Sequence, residues 1–354
     1  MTFQKAIMKW YDREGRELPW RVKGGLRQDA YKAWLAEIML QQTVVKTVIP
    51  YYLKFLKKWP TVENLAKAKE EDVLREWAGL GYYARARNLL KCAQAVVRDY
   101  NGAFPDQEEE LRKLPGIGRY TAASVRAIAF QKPANVVDGN VERVMARIYA
   151  VKEKMPAAKE KLYTLAGKLV PRERAGDYAQ ALMDLGATIC TPDNPQCDKC
   201  PVQKFCKAYA EDAPEKYPQR EAKKAVPQKY GHVYWLMGKD GVLCERRAEK
   251  GLFAGMVGLP TSTWELKQGK TKPPVKALWK KSGLIKHSFT HFDLTLQIWH
   301  ASAEKYDKIK ESYFWIQKKD IYDAGLPTLF KKVLPYTLGA AAATANSTGR
   351  KRAR

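Results

Sequence analysis

The stretch Leu114-Pro115-Gly116-Ile117-Gly118-Arg119-Tyr120-Thr121-Ala122 decides the fold of the first part of the chain. A polar segment over 106–113 precedes it, and an alanine-rich segment follows it. This pattern predicts two helices joined by a tight glycine turn, over residues 106–130. Gly116 and Gly118 permit the positive φ angles that such a turn needs.

The same turn can hold a phosphate group of DNA. Gly116 and Gly118 let backbone N–H groups approach an anion, and the start of the next helix adds its dipole. Phosphate contacts of this kind position a duplex without reading its bases. Helix, glycine turn and helix in this order form the helix-hairpin-helix motif. The alternative interpretation is a plain turn between two helices.

The charge balance predicts a polyanionic partner. The 354 residues include 63 Lys and Arg against 38 Asp and Glu, a formal net charge of +25. A folded chain this basic fits nucleic acid first and an anionic membrane surface second. The sequence shows neither an apolar run of about 20 residues, as a membrane span requires, nor a signal peptide. We therefore expect DNA as the partner and no membrane.

Four of the six cysteines cluster in a pattern that is typical of a metal centre. Cys190, Cys197, Cys200 and Cys206 follow the spacing Cys-x6-Cys-x2-Cys-x5-Cys. Zinc ribbons usually pair two Cys-x2-Cys knuckles across a longer gap. One Cys-x2-Cys with unequal arms favours one iron–sulfur cluster instead. A zinc site and four unrelated buried cysteines are the alternatives.

Two isolated carboxyl groups are candidates for acid and anion chemistry. Glu37 is the single charged residue between Lys32 and Lys46, and Asp138 is the single one over 133–141. A carboxyl group in an apolar pocket has a raised pKa and can act as a general acid near neutral pH. Asp138 suits a helix N-cap, which would hold it ionised. Together they would make the pair that cleaves glycosidic bonds, although a surface glutamate and a plain cap are the simpler interpretations.

The composition and residue pattern of the sequence change after the cysteine cluster. Residues 1–206 read as a succession of helices, and the proline-rich, charged segment 207–230 predicts an extended linker. Residues 231–336 predict a small α+β domain, with a β-hairpin around 238–241 and a strand over 292–299. The basic tail 337–354 is predicted to be disordered.

These features in this order resemble the helix-hairpin-helix DNA glycosylases with an iron–sulfur cluster, the endonuclease III class, and within it the MutY-type adenine DNA glycosylases. The resemblance spans about 1–336 and is carried further by five motifs: Leu18-Pro19-Trp20-Arg21, Ala36–Thr43, Gly79–Arg87, Val137–Asn140 and His287–Phe292. It implies an all-α helix-hairpin-helix glycosylase domain with one 4Fe–4S cluster on the four cysteines, followed by a small α+β Nudix-like domain.

The resemblance also implies roles for the residues of the first domain. Glu37 would protonate adenine, Asp138 would stabilise the oxocarbenium-like sugar, Asn140 would orient water or the base, and Tyr120 would line the sugar pocket. Gln180 would read the edge of an adenine flipped out of the duplex. Three further residues would line that pocket: Trp20, Arg21 and Val45. Two would wedge into the base stack: Gln42 and Tyr82.

The second domain would check for 8-oxoguanine opposite adenine. Its recognition loop reads Phe289-Thr290-His291, where relatives usually carry Phe-Ser-His, and Thr290 keeps the hydroxyl group. The glutamate-rich metal-binding helix of a working Nudix hydrolase is absent from the sequence, so we expect no pyrophosphatase activity. The implied substrate is double-stranded DNA with adenine opposite 8-oxoguanine or guanine.

Position 120 predicts the type of chemistry. Bifunctional relatives place a nucleophilic lysine there, which forms a Schiff base with the sugar, whereas this chain has Tyr120 beside Arg119. We therefore expect a monofunctional adenine glycosylase of base-excision repair, acting as a monomer in the nucleoid-associated bacterial cytoplasm. An endonuclease III-like glycosylase with lyase activity and a non-catalytic iron–sulfur DNA-binding protein are the alternatives.

Overall fold

The computed structural model describes residues 1–222, 225–248, 251–303 and 309–338. These residues form two compact units, one of 1–68 with 88–222 and one of 69–87 with the described residues from 225 onward. The sequence placed all of 1–206 in one domain. The structure differs, because residues 69–87 group with the second unit.

The predicted succession of helices is present in the first part of the chain. The helices are α1 (Phe3–Glu14), α2 (Ala30–Leu40), α3 (Val45–Lys58), α4 (Val62–Ala66), α5 (Glu70–Trp77), α6 (Ala84–Tyr100), α7 (Glu108–Lys113), α8 (Arg119–Phe130), α9 (Gly139–Ile148), α10 (Lys159–Gly167), α11 (Ala175–Thr188) and α12 (Lys207–Ala210). Of these, α5 belongs to the second unit, and α6 begins there. No described helix of the protein is long and apolar enough to cross a membrane.

Helix α8 lies at the centre of the first unit because its small side chains let other helices come close. Helices α2, α7 and α11 pack against it, and Ala123 and Ala127 on it are fully buried. On α11, a Cβ atom at Gly176 would lie 2.7 Å from the carbonyl oxygen of Ala127. This close approach brings the side chains of α2, α8 and α11 to one place.

The predicted extended linker over 207–230 is wrong for its first part. Residues from 207 form α12, and a 3-10 turn follows at Pro214–Lys216. Ala208 and Tyr217 are buried in the core of the first unit. The prolines suggested a linker, but these two apolar side chains anchor the segment to the helices. The first strand already begins at Gln228.

The second unit is built on a mixed sheet. Its strands are β1 (Gln228–Gly238), β2 (Gly241–Arg246), β3 (Val257–Gly258), β4 (Lys280–Ser288), β5 (Asp293–Ser302) and β6 (Tyr313–Ile316). The order is β3-β2-β1-β5-β4, and β6 also pairs with β2. Strands β1 and β5 run parallel, and the other pairs are antiparallel. The short helices α13 (Thr328–Lys331) and α14 (Leu334–Leu338) complete the unit.

The structure confirms the strand predictions for this unit. The turn at 239–240 joins β1 to β2 as an antiparallel hairpin, and β5 covers the segment that alternates in sequence. Its alternate residues Leu294, Leu296 and Ile298 are buried in the core. Of the predicted disordered tail 337–354, residues 337 and 338 end α14, and the rest lies outside the described residues.

Candidate active site

A cavity of about 780 Å³ within the first unit collects most of the predicted site residues. It is formed by residues of α2, α8, α9 and α11 together with the loops before α2 and α3. The predicted residues among its lining are Trp20, Arg21, Glu37, Gln42, Val45, Tyr120, Asp138, Asn140 and Gln180. Residues separated by up to 160 positions in the sequence therefore share one cavity.

Glu37 has the environment that its sequence context predicted. It lies on α2 and is only 6% exposed. Burial raises the pKa of Glu37 to about 7, while the hydroxyl groups of Tyr120 and Ser124 act to lower it and the charge of Asp138 raises it further. A carboxyl group of this kind carries a proton near neutral pH, as a general acid must.

Asp138 is the N-cap of α9, as predicted. Its Oδ1 atom accepts a hydrogen bond of 2.8 Å from the backbone N–H of Val141, and its Oδ2 atom accepts one of 2.8 Å from Nδ2 of Asn140. The cap was expected to hold Asp138 ionised. These hydrogen bonds act to lower the pKa of Asp138, but burial leaves it above its ordinary value, so the ionised state stays a prediction.

Asn140 and Tyr120 are held by further contacts around the cavity. Oδ1 of Asn140 accepts a hydrogen bond of 3.0 Å from Arg143, whose guanidinium group also donates to the carbonyl oxygens of Gly186 and Cys190. A Cβ atom at Gly186 would lie 2.6 Å from Cβ of Asn140, so glycine is needed there. The Tyr120 hydroxyl group donates to the sulfur atom of Met183 on α11 at 3.4 Å.

Several residues that organise the cavity were missed in the sequence. Asp184 on α11 is fully buried and binds Arg21 through two hydrogen bonds of 2.6 and 2.8 Å. Tyr11 on α1 donates its hydroxyl hydrogen to Oε1 of Gln180 at 2.9 Å. Asp184 is the single charged residue between Asp177 and Asp193, which is the signal that singled out Glu37. No local signal marks Tyr11.

The glycine turn between α7 and α8 is present, but only one glycine uses positive φ. Gly116 has a φ of 77°, and a Cβ atom there would lie 2.8 Å from Cβ of Asn88. Gly118 has a φ of −92°, so the expectation of a positive φ is wrong for this residue. It is instead the N-cap of α8, where no side chain caps the helix. The first N–H groups of α8 are thus left to water or to an anion.

Both residues predicted to wedge into DNA have a left-handed backbone. Gln42 has a φ of 57° and lies at the end of α2, where it lines the cavity. Tyr82 belongs to the second unit and has a φ of 47°. This conformation costs about 1–3 kcal/mol for a residue other than glycine and tends to persist at functional sites.

The four clustered cysteines line one small cavity at the end of α11. Burial raises the pKa of the Cys197, Cys200 and Cys206 thiols. Arg147 is buried and donates a hydrogen bond of 3.3 Å to the sulfur atom of Cys190. Four thiols facing one space, with a cation beside them, fit the donor set of an iron–sulfur cluster. Over the described ranges, no three Cys, His, Asp or Glu side chains lie close enough to hold a single metal ion.

The predicted recognition loop lies between β4 and β5 of the second unit. Phe289 packs against the rings of His287 and Phe292, at 4.6 and 4.7 Å between centroids, so it anchors the loop. Thr290 and His291 are exposed. The Thr290 hydroxyl group lies 2.9 Å from the hydroxyl group of Tyr82. The second unit therefore joins two segments that are 208 residues apart in the sequence.

Comparison with known proteins now places this architecture in a family. The model of the HhH-GPD superfamily base excision DNA repair protein matches residues 35–172, and the NUDIX domain model matches residues 232–336. The human adenine DNA glycosylase is 34% identical, over 94% of this chain and 73% of the human protein. The chain belongs to the adenine DNA glycosylase family.

Further proteins that are similar to this chain support the same family assignment. The adenine DNA glycosylase of Buchnera aphidicola is 33% identical, over 94% of this chain and 98% of that protein. A solved thermostable thymine-DNA glycosylase is 33% identical with a TM-score of 0.54, over 59% of this chain and 95% of that one. The resemblance and the two-part fold read from the sequence are confirmed. The chain is a base-excision repair enzyme that binds DNA.

Proposed function

We propose that the chain removes adenine that is paired with 8-oxoguanine or guanine, and that it does so without cleaving the DNA strand. One observation carries the proposal: Glu37, with a pKa near 7, and Asp138 line the same cavity. An acid and an anion on one cavity are the pair that hydrolysis of a glycosidic bond needs. The cavity is large enough for a flipped base, since binding pockets for small molecules usually measure about 300–1,000 Å³.

The steps follow from the placement of these residues. Adenine leaves the duplex and enters the cavity. Glu37 donates its proton to a ring nitrogen of adenine, which makes the base a better leaving group. As the bond between base and sugar breaks, Asp138 stabilises the oxocarbenium-like sugar, and water then adds with retention and gives its proton to the carboxylate of Glu37. Asn140, hydrogen-bonded to Asp138, orients the water or the leaving base.

The remaining lining residues would select and hold the base. The fixed amide group of Gln180 would read the adenine edge, and Trp20, Arg21 and Val45 would form the walls. Tyr120 would line the sugar side, where a lyase of the endonuclease III class would need a lysine. Gln42 and Tyr82 would fill the space that the flipped adenine leaves.

In the second unit, Thr290 would recognise 8-oxoguanine. Its hydroxyl group can donate to a purine edge, and the contact with Tyr82 holds it in place. Phe289 would keep the loop in position through its ring contacts, and exposed His291 would contact the DNA backbone. The Gly116 and Gly118 turn would hold a phosphate group through the uncapped start of α8.

Cys190, Cys197, Cys200 and Cys206 would hold one 4Fe–4S cluster. When bound, the cluster would supply four strong metal–sulfur links that clamp residues 190–206 to the end of α11. Iron analysis tests this: about four iron atoms per chain are expected, and Cys200→Ser should lower that number. Cys92→Ser is the matched control, since Cys92 is a buried free cysteine that stands outside the loop. Equal iron content in both variants, or none in the native chain, would contradict the assignment.

Single-turnover base release tests the proposed reaction. The substrate is a duplex with one adenine opposite 8-oxoguanine, and the product is scored before and after alkali. Strand breaks only after alkali are expected for a monofunctional glycosylase. Breaks without alkali would instead support a lyase, and Lys46, a lysine at the cavity, would be its first candidate nucleophile. Tight binding without any release would favour a non-catalytic DNA-binding protein.

A further inference from the structure

A buried carboxyl group behind the cavity wall binds two arginine residues at once. Asp184 on α11 is fully buried and accepts four hydrogen bonds. Two come from the backbone N–H and Nε of Arg16, at 2.9 and 2.6 Å, and two from Nη1 and Nη2 of Arg21, at 2.6 and 2.8 Å. The paired contact with Arg21 has the fork geometry that fixes a guanidinium group in one orientation.

This carboxyl group is ionised at working pH. Burial acts to raise the pKa of Asp184, but the hydrogen bonds and charges of Arg21 and Arg16 outweigh burial and bring it below its ordinary value. The Arg21 side chain is also largely shielded from water, at 6% exposure. The positive charge of Arg21 is thus offset mainly by Asp184, because water has little access to either group.

Arg21 and Glu37 line the same cavity, so the charge of one acts on the other. The positive charge of Arg21 acts to lower the pKa of Glu37, against the effect of burial. Other groups facing Glu37 are the hydroxyl groups of Tyr120 and Ser124 from α8 and the carboxyl group of Asp138 at the start of α9. Arg16 and Lys46 are the further charged residues of the lining. A guanidinium group without its counter-ion would favour a Glu37 that has lost its proton.

We propose that Asp184 is a positioning residue for adenine excision. It holds the Arg21 guanidinium group in one orientation in the cavity wall and offsets its charge, which keeps the proton on Glu37. The inference rests on the proposed role of Glu37 as the acid. It adds a residue that does not line the cavity, and whose effect appears in the pH dependence of the reaction.

The test is the pH profile of single-turnover base release by Asp184→Asn. The native rate should fall as pH rises through the pKa of Glu37, because the acid then loses its proton. In Asp184→Asn this falling limb should move about one pH unit lower, which is the smaller end of what one nearby charge does to a carboxyl group. Well above the limb, the rate should drop about tenfold relative to the native chain, and well below it the rates should be similar.

Asp177→Asn is the matched control. Asp177 lies on the same helix, is also fully buried, and binds Arg174 through two hydrogen bonds of 2.9 and 2.7 Å. Neither Asp177 nor Arg174 belongs to the cavity lining. This variant should lose stability to a similar extent but keep the native pH profile. A shift of the same size in both variants would overturn the inference.

Arg21→Gln gives a second test in the opposite direction. Removing the positive charge should move the falling limb to higher pH, and this variant also serves if Asp184→Asn does not fold. If the falling limb of the pH profile stays in place in the folded variants, the inference about Asp184 is overturned, but the proposed function is not. If Glu37→Gln releases adenine at the native rate, the proposed function fails instead. The two failures are therefore distinguishable.

Discussion

The side-chain amide of Asn140 donates a hydrogen bond of 2.8 Å to the carboxyl group of Asp138, two residues earlier in the chain. Asp138 also caps α9 through Val141. One carboxyl group therefore has a structural partner on one oxygen and an orienting partner on the other. Local sequence alone creates this arrangement, because an aspartate at an N-cap lies close to the next residues of its own helix.

The Asp138→Asn variant separates the cap from the chemistry. Asparagine caps helices about as well as aspartate, so the variant should fold and bind duplex DNA normally. It lacks the negative charge that stabilises the sugar in the transition state. Base release should therefore fall by roughly 10²- to 10⁴-fold, the usual effect of losing a catalytic charge or proton-transfer group. Single-turnover release beside a binding titration measures both, and native-like release would contradict the role of Asp138.

The Glu37→Gln variant should stabilise the free protein at alkaline pH. The pKa of Glu37 rises from 4.5 to about 7 on folding, so the folded state binds the proton more tightly than the unfolded state. The contribution of this proton to the free energy of unfolding is complete below pH 4.5 and is lost as pH rises to 7. It corresponds to about 3 kcal/mol at 1.36 kcal/mol per pKa unit. Thermal unfolding at pH 5 and pH 8 tests this. The native chain should lose stability between these values more than Glu37→Gln does, and equal losses would contradict the burial argument.

The two hairpin glycines should respond differently to substitution. Gly116→Ala forces a side chain into a left-handed backbone and against Asn88, so it should cost at least about 1 kcal/mol of stability. Gly118→Ala is the control, since its φ is ordinary and no atom lies within 4 Å of the new Cβ. It should fold normally yet weaken binding to matched and mismatched duplexes alike. Equal stability of the two variants in urea unfolding would contradict the assignment of the turn.

Much of the site was predictable because isolated charges in apolar segments mark functional groups. Glu37 and Asp138 stand out in the sequence in this way, and Asp184 on α11 carries the same signal. Long-range partners such as Tyr11 and Gln180, 169 positions apart, carry no local signal, because only the packing of α1 on α11 brings them together. The short helical turns at 207–210 and 214–216 were missed for the same reason, since Ala208 and Tyr217 are buried among distant core residues.

Thr290 variants test recognition of 8-oxoguanine. Thr290→Ala removes the hydroxyl group and should lower the preference for 8-oxoguanine over guanine opposite adenine, by about 5- to 10-fold for one hydrogen bond of roughly 1 kcal/mol. Thr290→Ser keeps the hydroxyl group and is the matched control. Tyr82→Phe should have an intermediate effect, because it removes the partner of that hydroxyl group. The ratio of binding constants for the two duplexes measures the preference, and an unchanged ratio in Thr290→Ala would rule out this role.

The most direct test of the central claim compares native chain and Glu37→Gln on one duplex with adenine opposite 8-oxoguanine. Binding and single-turnover base release are measured on the same protein samples. Duplex binding should be retained, and base release should be lost, because glutamine cannot donate the proton that the leaving adenine needs. If the variant releases adenine as fast as the native chain, Glu37 is not the acid and this account of the cavity is wrong.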